Sequence, residues 1–227
     1  MRALLLVLLL MSPLRQVEHS YLQFSTIHHD IFPDYQNDNF QQRISWRKNI
    51  VTVANQSLNF FQLDLNFRVV LDEEYLRQYP AEFQQVVKQL VADCISLRDF
   101  VDNISGFLKS QVVYDDSGAP QDALAVLQRK NANCVGYSNL VHEFFNCAGI
   151  DSQFVKGFYL KNSKSGMLTP IPHKWVEVRL ANGYKFFYDP QHQSFTSGYI
   201  LVQDDVDFKK IRRFQVRLIK KEVKMIN

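Results

Sequence analysis

The middle of the chain places apolar residues at the three- and four-residue steps typical of amphipathic helices. One such tract begins at Pro80, and a second runs from about residue 98 to residue 113. Pro120 suits the first turn of a short third helix. A fourth helix is predicted within residues 131–150, where Gly149 is the residue type that closes helices in the left-handed conformation.

Strand patterns lie on both sides of these helices. Residues 49–71 are rich in β-branched and aromatic side chains around a polar break, which predicts a strand, a turn and further strands. Residues 153–160 predict another strand. Residues 173–180 and 184–190 flank Asn182-Gly183, a strong hairpin signal. Residues 211–223 alternate basic and apolar side chains; a strand with one solvated face explains this pattern better than a patch that faces a polyanion. Residues 20–48 show no clear period and predict a loop with short extended pieces.

These elements predict an α+β fold class, with helices packed on an antiparallel β-sheet. We expect an N-terminal β-rich region at residues 21–80 and a second region, residues 81–227, that contains the helices and the hairpin.

The N-terminus carries an apolar run from Ala3 to Met11 behind the positive charge of Arg2. This run is too short to span a membrane but matches the apolar part of an export signal. We expect residues 1–20 to be a signal peptide or an N-terminal membrane anchor, and the chain to be secreted, periplasmic or membrane-anchored. A buried N-terminal helix is the alternative, because no A-x-A-like cleavage site follows.

Composition narrows the functional classes. A chain of 227 residues with a net charge of +3 and no zinc-finger, RNP or P-loop pattern gives no indication of nucleic-acid binding. Its three cysteines, Cys94, Cys134 and Cys147, form neither a disulfide framework nor a CxxC pair. Cys94 and Cys147 lie within apolar helical patterns and are expected to be small core residues, with a bridge between them as the alternative.

Cys134 differs from the other two because a polar loop leads into it and a helix starts there. The free N–H groups and positive dipole end of a helix favour a thiolate, which is the nucleophilic form of cysteine. Downstream, His173 and Asp189 lie on the two arms of the predicted hairpin. With a bulge or a diagonal contact, the carboxylate can reach the imidazole. A thiol, a histidine and an aspartate are the groups that nucleophilic acyl transfer needs.

The chain resembles the transglutaminase-like superfamily, a branch of the papain-type cysteine enzymes, over about residues 112–190. The resemblance lies in NANCVGYSNLVHEFFNCAGIDSQFVKGFY, HKWVEV and FFYDP, which occur in the family's order, and in VVYDD before them. It implies a papain-like, transglutaminase-like core in residues 81–227, with Cys134 as nucleophile, His173 as general base and acid, and Asp189 as the orienting carboxylate. Asn133 departs from the glycine that the family most often has near its cysteine.

The resemblance also implies an oxyanion hole that includes the Cys134 N–H and a side-chain donor, for which Gln128 has a papain-type offset. It predicts a transglutaminase-like cysteine peptidase or amidase, or an acyltransferase, that acts on a peptide or protein amide substrate without metal or organic cofactor. Hydrolysis is preferred over amine transfer by family analogy. The motif of arylamine acetyltransferases is absent, whereas a non-enzymatic binding or scaffolding module of the same fold stays open. The other histidines, His192 among them, are expected to be structural or on the surface.

Overall fold

The computed structural model describes residues 15–162, 167–211 and 214–226. The helices are α1 (Glu73–Leu76), α2 (Ala81–Val91), α3 (Leu97–Gln111), α4 (Ala123–Arg129) and α5 (Cys134–Cys147). The strands are β1 (Arg15–Ser25), β2 (Tyr35–Gln36), β3 (Phe40–Arg47), β4 (Ile50–Leu58), β5 (Val113–Tyr114), β6 (Asn131–Ala132), β7 (Asp151–Asn162), β8 (Leu168–Arg179), β9 (Lys185–Tyr188), β10 (Tyr199–Leu201) and β11 (Arg217–Ile226).

Two antiparallel sheets organise these strands. The first has the order β11-β1-β4-β3-β2 and the second the order β10-β7-β8-β9, whereas β5 and β6 form a short parallel pair. The hairpin predicted around Asn182-Gly183 is present as β8 and β9, paired from Arg179 with Lys185 to Val176 with Tyr188. The predicted α+β class with helices on an antiparallel sheet is confirmed.

The second sheet lies between the helices and the first sheet, because alternate side chains of its strands face opposite ways. Val176 and Val178 pack in the helical core with residues of α2, α3 and α5. Trp175 and Phe187 pack on the other side, with Phe40 of the first sheet. Both faces of β8 are therefore buried from Trp175 to Val178, and packing from two sides holds this part of the strand in place.

The N-terminal part of the chain differs from the prediction. Strand β1 begins at Arg15, pairs with β4 and β11, and buries Val17, Leu22 and Phe24. A leader that extends to residue 20 would include half of this strand, so the predicted boundary cuts through a paired element. The rest of the predicted leader, residues 1–14, lies outside the described residues.

The division at residue 80 also differs from the structure. Strand β11, near the C-terminus, pairs with β1 and so completes the N-terminal sheet. Phe60, Leu65 and Leu76 contribute to the same hydrophobic core as α2, α3 and α5. The sequence does not predict this pairing or the shared core, because packing between distant segments leaves no local periodic pattern.

Buried amides join the first sheet to the edges of the second. The Asn39 side chain accepts from Phe187 N and donates to Phe187 O, each at 2.9 Å. The Gln42 side chain makes the same pair of bonds with Leu201, at 2.9 and 3.2 Å. The Asn55 Nδ2 atom donates to the Tyr199 carbonyl at 2.5 Å. These amides replace the partner strands that β9 and β10 lack, and they fix the strands next to the residues described below.

Candidate active site

Cys134 is held at the first position of α5 by short-range structure. Helix α4 ends at Arg129, and the next residue, Lys130, turns the chain with a φ of 58°. Strand β6 then pairs with β5, and Asn133 caps α5 by accepting from Val135 N at 2.9 Å and Gly136 N at 3.4 Å. Asn133, the departure from the family pattern, is therefore a regular N-cap residue. Cys134 itself is partly exposed.

Gln121 supports the same loop from the side. Its Oε1 atom accepts from Asn133 N at 3.0 Å, and its backbone carbonyl accepts from Asn139 Nδ2 at 2.7 Å. Gly136 makes room for it, since a Cβ there would overlap Gln121 Oε1 and lie 2.8 Å from Val126 Cγ2. By contrast, Gln128 is exposed on α4, and its side chain makes no hydrogen bond with the described residues. No sequence motif indicated that Gln121 supports the loop before Cys134.

The His173 Nε2 atom lies 2.7 Å from Asp189 Oδ2, and both residues are buried. Tyr188 pairs with Val176, so Asp189 follows the last paired position and meets His173 diagonally, as the hairpin predicted. With Nε2 engaged by Asp189, Nδ1 is the ring nitrogen left for Cys134. Burial lowers the pKa of His173, but hydrogen bonds and charges of Asp189 and Cys134 outweigh it and raise the pKa to about 9.

Asp189 is fully buried and accepts hydrogen bonds at both oxygens. Oδ1 accepts from the backbone N–H groups of Gln191 and His192, at 3.0 and 3.4 Å. Oδ2 faces His173 Nε2, His192 Nδ1 at 2.7 Å and the Tyr199 hydroxyl, which donates at 2.5 Å. Burial would raise the pKa of the Asp189 carboxyl, yet the two histidines hold that pKa well below its usual range.

The contact of His192 with Asp189 was missed by the sequence interpretation, which expected His192 to be structural or on the surface. The turn after Asp189 carries it back onto the carboxylate, because Gln193 N donates to Asp189 O at 2.7 Å. The sequence did contain one indication of this contact: His192 lies three residues after Asp189, in a turn that begins with Pro190.

Within the described residues, one group has donor atoms spaced for a metal ion: those of His173, Asp189 and His192 lie within 4.8 Å of one another. Two nitrogens and a carboxylate oxygen are ligands that suit a divalent transition metal. The same atoms already form the hydrogen bonds through Asp189 Oδ2, so a metal would have to replace them. Hydrogen bonding is the simpler interpretation of this cluster.

Two further ionisable side chains stand near the thiol. Burial lowers the pKa of Lys174 to about 8, and the charge of Cys134 partly opposes this shift. Burial, followed by the charges of Asp116 and Cys134, raises the pKa of Tyr114. Lys174 Nζ lies 3.3 Å from the ring centroid of Phe154 and 2.8 Å from Asn139 Oδ1.

The family model described as Transglutaminase-like superfamily matches residues 84–190. This segment contains Cys134, His173 and Asp189, and we assign it to the transglutaminase-like superfamily, as the sequence motifs predicted. A search of the curated proteins gave no match to this chain.

Two solved structures are similar to this chain. A "putative cysteine protease" from Cytophaga hutchinsonii is 11% identical, with a TM-score of 0.50 over 94% of this chain and 90% of that one. The periplasmic domain of TgpA from Pseudomonas aeruginosa is 10% identical, with a TM-score of 0.45 over 77% of this chain and 88% of that one. At 11% identity, the similarity to the Cytophaga hutchinsonii protein concerns the fold alone. That fold is transglutaminase-like.

Across residues 15–162, 167–211 and 214–226, no helix is long and apolar enough to cross a membrane.

Proposed function

We propose that this chain is a transglutaminase-like cysteine peptidase or amidase that cleaves an amide bond of a peptide or protein through a thioester on Cys134. The observation that carries the proposal is the position of His173, whose Nε2 atom lies 2.7 Å from Asp189 Oδ2 and whose pKa is raised by Cys134 as well as by Asp189. A thiol, an imidazole and a carboxylate in this order suit nucleophilic acyl transfer.

In the proposed reaction, the Cys134 sulfur attacks the amide carbonyl carbon while its proton resides on His173. The C–N bond then breaks, His173 protonates the leaving amine, and the acyl group stays on sulfur as a thioester. A water molecule then gives one proton to His173 and attacks the thioester carbon. The C–S bond breaks, His173 returns the proton to the Cys134 sulfur, and the released acid loses its own proton to solvent and leaves as a carboxylate. Asp189 orients the imidazole and supports its positive charge throughout.

The negative oxygen of the tetrahedral intermediate needs donors near the sulfur. Asn133 Oδ1 accepts the N–H groups of Val135 and Gly136. The Cys134 N–H, at the start of the helix, is therefore the backbone donor proposed for this oxygen. We propose no side-chain donor, since Gln128 is exposed and Gln121 Nε2 already donates to the Ala119 carbonyl at 2.9 Å.

Hydrolysis is proposed over transfer to an amine, and the likeness to a chain named as a putative cysteine protease agrees with this preference. Export, with residues 1–20 as leader or anchor, belongs to the same proposal. It rests on the apolar run from Ala3 to Met11.

The decisive test is the rate of Cys134 alkylation by iodoacetamide as a function of pH in a Cys94→Ser background. Cys147 can stay, because it is fully buried and burial raises its pKa to about 12. We expect the wild-type thiol to retain its reactivity to a distinctly lower pH than the thiol of His173→Ala. Cleavage of a peptide library, absent in Cys134→Ala, would then identify the substrate.

Identical alkylation profiles in the wild type and His173→Ala would remove the main support for an enzyme. The chain would then be studied as a non-enzymatic binding or scaffolding module of this fold, which is the alternative that the sequence left open.

A further inference from the structure

We propose that His192 is a positioning residue of the active site, which holds the Asp189 carboxylate in place for His173 by donating a hydrogen bond from its Nδ1 atom. The inference rests on the proposed function and deepens it: it extends the group of three side chains to a chain of four, Cys134, His173, Asp189 and His192.

The first support is that two imidazoles converge on one carboxylate oxygen. His173 Nε2 and His192 Nδ1 each lie 2.7 Å from Asp189 Oδ2. An ionised carboxylate only accepts hydrogen bonds, so His192 carries its proton on Nδ1 in the neutral form. The His192 side chain is 28% exposed, whereas that of Asp189 is 0% exposed. Because His173 and Tyr199 are both buried, His192 is the most exposed side-chain partner of Asp189.

The second support is that the ring of His192 is fixed in this orientation. It stacks on Tyr159 of β7, with a centroid distance of 4.3 Å and an interplanar angle of 28°. Its centroid lies 5.1 Å from that of His173. The Tyr199 hydroxyl of β10 lies 3.3 Å from His192 Nδ1. The titratable groups around His192 are therefore Asp189, His173, Tyr159 and Tyr199.

The physical consequence follows from the burial of Asp189. A buried carboxylate is costly unless donors surround it, and without them it takes up a proton or turns towards other partners. Removal of the His192 donor leaves Oδ2 with His173 and Tyr199 alone. The carboxylate then loses the constraint that keeps Oδ2 aimed at His173 Nε2, and its support of a positive His173 weakens.

Two substitutions separate hydrogen bonding from packing. His192→Asn keeps an N–H donor near the position of Nδ1 but loses the ring, whereas His192→Phe keeps the ring on Tyr159 and loses the donor. His29→Phe is the matched control, because His29 is also a partly buried imidazole next to an aromatic ring, with a centroid 5.1 Å from that of Trp46, and its side chain has no carboxylate partner among the described residues.

The first readout is the alkylation rate of Cys134 at neutral pH in the Cys94→Ser background. We expect His192→Asn to stay near the wild type and His192→Phe to react about tenfold more slowly. His29→Phe should match the wild type. The opposite order, with Phe near the wild type and Asn slow, would mean that His192 acts only through packing, and the proposal would be overturned.

The second readout needs no reactive thiol. Imidazole NMR of the full chain follows the protonation midpoint of His173, which we expect to be retained in His192→Asn and displaced by about half a pH unit or more in His192→Phe. An unchanged midpoint in both variants contradicts the proposal. Because this readout is independent of alkylation, it decides the role of His192 even if the wild type and His173→Ala alkylate alike and the proposed function fails.

Discussion

Gly157 lies directly opposite His173 in the antiparallel pairing of β7 and β8. A Cβ at this position would overlap the carbonyl oxygen of Ile200 in β10 and lie 2.6 Å from Trp175 Cη2. Trp175 stacks near His173, with ring centroids 6.1 Å apart. The absence of a side chain at Gly157 therefore lets β10 and the Trp175 ring close around the histidine.

We expect Gly157→Ala to lower the free energy of unfolding by about 1–3 kcal/mol, because neither a backbone carbonyl nor a buried tryptophan can yield easily. It should also slow Cys134 alkylation by moving His173. Urea unfolding and iodoacetamide kinetics measure the two effects.

The control for Gly157→Ala is Gly106→Ala. Gly106 lies in α3, and the space that an alanine Cβ would take there has no surrounding heavy atom within 4 Å. Alanine at this position should therefore stabilise the helix by about 0.5–1 kcal/mol. Equal changes in the free energy of unfolding for Gly157→Ala and Gly106→Ala would show that crowding at Gly157 does not affect stability.

Gln121→Leu should affect the cysteine loop without touching the reacting groups. The change leaves Asn133 N without its acceptor, since Gln121 Oε1 lies 3.0 Å from it. We expect a loss of about 1–3 kcal/mol in unfolding free energy and a slower alkylation of Cys134, as the entry into α5 loosens. Chemical denaturation and alkylation kinetics measure the two effects.

Gln128→Leu provides the comparison for Gln121→Leu, because Gln128 is exposed on α4. The free energy of unfolding of Gln128→Leu should differ from that of the wild type by no more than about 0.5 kcal/mol. A large loss of peptide cleavage in Gln128→Leu alone would instead favour the oxyanion role that the papain-type offset suggests.

The lowered pKa of Lys174 predicts that the stability of the chain depends on pH. Its pKa is about 8 in the folded chain and 10.5 in its ordinary state, so between these values the unfolded chain binds more protons. The free energy of unfolding therefore rises with pH in this window through Lys174. Relative to Lys174→Met, which cannot titrate, we expect the wild type to gain about 1–2 kcal/mol from pH 8 to pH 10, less than the full shift implies because the side chain is partly exposed.

Urea unfolding of the wild type and Lys174→Met across this pH range measures the difference, in which the titrations common to both proteins cancel. A difference that stays constant, or falls with pH, would contradict a lowered pKa for Lys174.

Much of the site was predictable because its signals are local. A polar loop before a helical period identified Cys134, and the Asn182-Gly183 turn fixed which residues of the hairpin meet, so His173 and Asp189 could be placed together. The structure brings these residues together, whereas their catalytic roles stay predictions. The transglutaminase-like fold followed from the order of the motifs.

Strand β1 was missed because its sequence RQVEHSYLQFS has no clean alternation, and its burial is uneven along the strand. The pairing of β1 with β11 joins segments about 200 residues apart, as in Val17 with Lys224. The roles of Asn39 and Gln42 could not be predicted either, since in the sequence an amide that bonds a distant backbone looks like any other polar residue.

The sequence by itself therefore determined the helices, the hairpin and the three side chains whose spacing suits acyl transfer, because hydrophobic periods and turn residues act over a few positions. Only the tertiary structure decided that His192 shares the carboxylate of Asp189, that Gln121 supports the cysteine loop and that one sheet is completed by the C-terminal strand. Those contacts depend on where separate segments pack in space, and no short-range rule of the chain encodes that.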